Sequence, residues 1–67
     1  MTAAAFNRWL SDMKLAGIAR SDAACARLLG VSANTVVDWK AKGTDHRTAL
    51  ACAALLAGVS PYSEIVR

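Results

Sequence analysis

Apolar residues recur at helical spacing through most of the chain. Phe6, Trp9, Leu10 and Met13 stand at i, i+3, i+4 and i+7, one stripe of a helix, while Asn7, Arg8, Ser11, Asp12 and Lys14 fall off it. This pattern predicts a first helix from Ala3 to about Ala16, capped by Thr2, with the aromatic stripe packed in the core. A second helix is expected from Asp22 to Leu29, capped by Ser21, and a third from just after Ser32 to about Ala41. A fourth starts near Thr44 or Asp45 and ends before Gly58, with Ala49, Leu50, Ala53, Leu56 and Ala57 as its buried face. A short fifth helix, Pro61 to about Val66, takes Ser60 as its cap. No segment sustains the period-two alternation of a strand. The expected fold is all-α: one domain over residues 1–67, a compact bundle of five short helices.

The glycines agree with these boundaries. Gly17, Gly30, Gly43 and Gly58 each follow an apolar-periodic run, where a helix end favours a residue that tolerates positive φ. Pro61 follows Ser60, as proline at a first helical position should. Leu28-Leu29-Gly30-Val31-Ser32 is echoed in Leu55-Leu56-Ala57-Gly58-Val59-Ser60, one junction chemistry used twice. Val31 and Val36 have hydrophobic-staple spacing around Ser32, which fixes how the chain enters the third helix.

Composition narrows the class. The apolar fraction is 55%, but 15 of those residues are Ala, which gives helix propensity more than core volume. A domain this small is marginal alone and needs close helix packing, a partner subunit or a staple. Met1 to Phe6 lacks a basic segment followed by a long apolar stretch, and the uncharged run from Thr48 to Ser63 is interrupted by Gly58 and Pro61. The expectation is a cytoplasmic protein with reduced thiols and no membrane association. Cys25 and Cys52 fall in apolar helical patterns and read as small hydrophobes. Two Cys and His46 do not make the four ligands of a zinc site, so no metal or cofactor is expected. The net charge of +3 favours a polyanionic partner without deciding for one.

The segment Ser21 to Gly43 carries the functional signal. A short helix, a turn at Gly30 and a second short helix follow in the order of a helix-turn-helix. Ala26 must be small where the helices meet, and Cys25, Leu29, Val31, Val36 and Trp39 must be apolar at the joint. With Ala26, Leu29-Gly30-Val31-Ser32, Thr35-Val36, Trp39 and Gly43 in place, the chain resembles the lambda-repressor-like, Cro-type (Xre) helix-turn-helix family. The resemblance runs from about Ser21 to Tyr62, and the first helix matches only in character. It implies a DNA-binding regulator of the kind found in phages and mobile elements, among them Cro-like proteins, antitoxins and regulators beside anti-CRISPR genes. Family members often carry Gln at the first position of the second helix, where it meets a phosphate. This chain has Asp22, a carboxylate that cannot donate, so Ser21 or backbone amides are the expected replacement.

A recognition helix presents its first turns to base edges in the major groove. With Val36 and Trp39 facing inward, the opposite face of the third helix holds Ala33, Asn34, Val37, Asp38 and Ala41, bordered by Ser32 and Thr35. Ser32, Ala33, Asn34, Thr35, Val37 and Asp38 are therefore the candidate base-contacting residues. Asn34 has the groups to pair with adenine N6 and N7, Asp38 to accept from cytosine N4, and Ala33 or Val37 to pack on a thymine methyl. The competing readings are a solvated face for Asn34 and Asp38 and partial burial for Val37. No Arg lies on this face, so the commonest contact to guanine is missing. Phosphate contacts are expected from Ser21, Lys40, Lys42, Thr44, His46 and Arg47. Arg8, Lys14, Arg20 and Arg27 are scattered, and all but Arg20, whose reading stays open, are expected to be solvated.

The expected partner is double-stranded DNA, bound by a homodimer, since such regulators use paired half-sites. Val59, Tyr62, Ile65 and Val66 offer the apolar surface for a two-fold contact, or else cap the monomer core. The leading function is a sequence-specific transcriptional regulator, a repressor that occludes polymerase. The other is a protein-interaction adaptor that uses the same fold without reading DNA. No nucleophile, base and electrophile converge in the sequence, so neither an enzyme nor a small-molecule site is expected.

Overall fold

The computed structural model describes residues 1–59. These form four helices, with no strand among the described residues: α1 (Ala3–Leu15), α2 (Asp22–Leu29), α3 (Ala33–Lys42) and α4 (His46–Leu56). The helix expected from Pro61 to Val66, with Tyr62, Ile65 and Val66 of the expected dimer face, lies outside the described residues. No described helix is long and apolar enough to cross a membrane.

Each helix starts on a side-chain cap. The oxygens of Thr2, Ser21, Ser32 and Asp45 accept from the amide three residues on, which satisfies a donor that the helix leaves unpaired. Three helix ends share one hydrogen-bond pattern. Ile18, Val31 and Val59 donate to the carbonyls of Met13, Ala26 and Ala54, while Gly17, Gly30 and Gly58 donate to Lys14, Arg27 and Leu55. This is the Schellman pair, with an apolar residue after each glycine. The junction visible twice in the sequence is thus used three times.

The core is built around α1. Phe6, Trp9, Leu10 and Met13 are buried, together with Ala19, Cys25, Ala26, Val36 and Cys52. Met1, Ala24, Leu29, Val31, Trp39 and Leu55 close around them. α1 packs on α2, α3 and α4, and α2 packs on α3 and α4. Ala26 sits buried where α2 meets α3, so the expectation of a small residue there holds.

The rotation of α4 corrects the sequence reading. Cys52 is its buried residue, and Thr48, Ala49, Ala54 and Leu55 are partly buried. Leu50 is 58% exposed and Leu56 38%, and Ala53 and Ala57 also face out. The reason is compositional. From Thr48 to Val59 no residue is charged, so periodicity cannot choose a face. A tertiary contact chooses instead: the buried Trp9 Nε1 donates to the Cys52 carbonyl at 2.8 Å.

Gly43 ends α3 in a different way from the other glycines. Its φ is +84°, and it is buried against the start of the chain. Met1 and Thr44 exchange two backbone hydrogen bonds of 2.8 Å across it. A Cβ on Gly43 would overlap the Met1 carbonyl oxygen and lie 2.9 Å from the Ala3 nitrogen. Gly30, at φ +75°, has open space where its Cβ would go. Gly30→Ala should therefore cost only the left-handed conformation, about 1–2 kcal/mol. Gly43→Ala adds a backbone collision and should cost about 3 kcal/mol or more. Thermal melting of the two variants checks this. A Gly43→Ala melt no lower than that of Gly30→Ala contradicts the close approach.

Candidate nucleic-acid interface

The inner side of α3 is fixed by aromatic packing. The Phe6 ring stacks on Trp9 at 5.6 Å and meets Trp39 edge-on at 5.6 Å, near the preferred perpendicular geometry. Val36 is buried below them. Asn7 adds a polar clip: its Nδ2 donates to the Ala3 carbonyl at 2.8 Å and to the Lys40 carbonyl at 2.9 Å. These contacts turn the rest of the helix outward. Ala33, Asn34, Val37, Asp38 and Ala41 are all exposed, as the sequence pattern requires. Val37 is 64% exposed, which rules out burial at the helix edge.

The polar groups on this face differ in availability. The Ser32 and Thr35 hydroxyls lie 2.9 Å apart, and Ser32 Oγ also accepts from the Thr35 amide. Both are committed to the cap. Asp38 pairs with Lys42 at 3.1 Å, one helical turn away, with both side chains more than half exposed. Such a pair is worth a few tenths of a kcal/mol and opens easily. Asn34 makes no side-chain hydrogen bond among the described residues and faces water.

The expected phosphate contacts divide into two groups. Lys42, His46 and Arg47 are exposed on the segment that runs from α3 into α4, with Thr44 partly buried among them. Arg47 and Asp45 also line an open cleft of about 300 Å³ between Trp39, Leu29 and Val31 and the first turns of α4. Lys40 points elsewhere. Its Nζ donates to Asp22 Oδ2 at 2.9 Å, while Lys14 Nζ lies 2.8 Å from Oδ1, a buried oxygen. Ser21 accepts from the Ala24 amide as a cap at the same end of α2.

Asp22 thus joins the end of α1, the start of α2 and the last turns of α3. The sequence showed it as an unwelcome charge, and Lys14 as a solvated one. Nothing in the local pattern signals the pairing, because Lys40 is 18 residues away from Asp22 in sequence. With two ammonium groups around one carboxylate, the cluster carries a net positive charge. The Lys14 ammonium at 2.8 Å, then the hydrogen bond from Lys40, hold the Asp22 carboxyl below its ordinary pKa against the opposing effect of burial, and the Lys14 ammonium is raised in return. The Thr48 hydroxyl and amide lower Asp45. Burial raises both thiols, Cys52 to about 11, so each is protonated at neutral pH and packs as an apolar group.

A depressed carboxyl pKa contributes stability above the unfolded value that is lost as pH falls through the folded one. Asp22 should therefore stabilise the fold at neutral pH and lose that contribution below its ordinary value of 3.8. Asp22→Asn should lower stability by about 1 kcal/mol at pH 7, a modest figure because the cluster is partly solvated. Its melting temperature should then fall less on acidification than that of the wild type. Parallel acid melts for the two proteins would contradict the ionic node.

No family model, curated protein or solved structure matches the chain.

Proposed function

We propose that the chain is a sequence-specific binder of double-stranded DNA, with α2 and α3 as a helix-turn-helix and α3 in the major groove. The observation that carries this reading is the combination at α3. Its inner side is locked by Phe6, Val36 and Trp39, while Ala33, Asn34, Val37 and Asp38 stand clear beside exposed Lys42 and Arg47. A rigid helix with a basic rim is what groove insertion requires. The resemblance of Ala26, Gly30, Val31, Val36 and Trp39 to Cro-type proteins supports the same placement. In this reading Lys42, Thr44, His46, Arg47 and Ser21 grip phosphates. Lys40 acts with Lys14 through the positive cluster at Asp22 and not as a separate contact. The protein is a repressor that works as a homodimer on a palindromic operator. Val59, 57% exposed, is the described part of the proposed two-fold contact.

One observation favours a second reading. The outward face of α4 is apolar, with Leu50, Ala53 and Leu56 uncovered, as a protein-interaction adaptor would need. Salt separates the two. DNA binding weakens steeply with salt in proportion to phosphates contacted, whereas an apolar protein contact does not.

Selection of bound duplexes from a random pool should enrich a two-fold-symmetric site, and sedimentation should show a dimer on it. Lys42→Ala and Arg47→Ala should each weaken all sequences alike and flatten the log–log salt slope by about 1. Asn34→Ala should relax preference at one base pair per half-site, by about 1–3 kcal/mol. An unselective pool, or a selected site unchanged by Asn34→Ala, contradicts the placement of α3.

A further inference from the structure

Ala33, Val37 and Ala41 form one exposed stripe along α3 at i, i+4 and i+8. At 1.5 Å per residue the stripe is about 12 Å long, or three to four base-pair steps. Two of the hydroxyls that border it are committed to the helix cap. Ser32 and Thr35 hold each other, while Asn34 and Asp38 remain exposed. Val37 itself runs against local preference. A β-branched residue at an exposed helix position is less favourable than Ala, because its χ1 freedom is restricted against the preceding turn. The four exposed large hydrophobics on the other helices, Leu15, Leu28, Leu50 and Leu56, are all leucines and carry no such penalty.

We infer that this stripe reads thymine C5-methyl groups, so that the ligand is a thymine-containing major groove and Val37 is its main specificity-determining residue. The inference rests on the DNA-binding reading above. Thymine is the standard base that presents an apolar group in the major groove, and it is the one apolar partner that a duplex offers such a stripe. Exposed Lys42 ends the same helix and exposed Arg47 follows in the first turn of α4, cations of the sign that phosphates bordering the groove require. Asp38 pairs with Lys42 only through a weak, exposed contact, so Asn34 and Asp38 add hydrogen-bond discrimination beside the methyl contact.

Replacing thymine by deoxyuridine removes the methyl and leaves every hydrogen bond of the pair in place. The test takes the duplex selected from a random pool and substitutes each thymine singly. Wild-type protein should bind about fourfold more weakly at each contacted position, the value of one buried methyl-sized group. Val37→Ala should bind the unmodified duplex more weakly by a similar factor and respond less than twofold to uracil at the position Val37 contacts. Its melting temperature should equal or exceed that of the wild type, since Ala is the better helix former. That combination separates a reading role from a structural one. The inference is overturned if the selected site has no thymine, if no uracil position weakens binding, or if Val37→Ala keeps the full uracil response. A pool that yields no enriched sequence overturns the DNA-binding reading, and this inference with it. A defined site that ignores uracil overturns the methyl stripe alone.

Discussion

Phe6 has no exposed surface, and its ring is the contact through which α1 reaches both tryptophans. Stacking on Trp9 orients the indole whose Nε1 fixes α4 at the Cys52 carbonyl. The edge-on contact with Trp39 fixes the inner side of α3. One side chain therefore sets the rotation of two helices that do not pack along each other. The outward face of α3 is defined by what Phe6 and Val36 hold on the other side. In a domain with so little core volume, such a contact outweighs the exposed ion pairs. A buried Phe is worth about 3–5 kcal/mol on truncation, and an exposed pair about 0–1.

The ionic cluster at Asp22 supplements that packing. It ties the three helices that share the α2–α3 joint through two lysines. It also changes the electrostatic meaning of an acidic residue near the proposed DNA surface. Alone, Asp22 would repel phosphates. Held between Lys14 and Lys40, it belongs to a positive group.

Much of this was legible in the chain. The stripe of Phe6, Trp9, Leu10 and Met13 is buried as its spacing requires, and α2 occupies the expected residues, Asp22–Leu29. Caps and glycines mark helix ends because they act locally, through the first amide and the last carbonyls. The exposed set on α3 follows from fixing Val36 and Trp39 inward. What was not legible depends on contacts distant in sequence. α4 is apolar nearly all round, so the face it buries is chosen by Trp9, 43 residues from Cys52. The commitment of Lys40 to Asp22, and of Asn7 to the Lys40 carbonyl, likewise needs the tertiary arrangement. Gly43 resembled the other three glycines in sequence, yet its conformation serves a backbone approach that no local pattern encodes.

The central claim is that the outward face of α3 meets DNA. Amide chemical shifts of the labelled protein, followed by NMR during titration with its selected duplex, test it residue by residue. The account predicts the largest changes from Ser32 to Lys42 and from Thr44 to Arg47, fading as salt is raised. Saturation with the duplex that leaves Asn34, Val37 and Asp38 unmoved would contradict it.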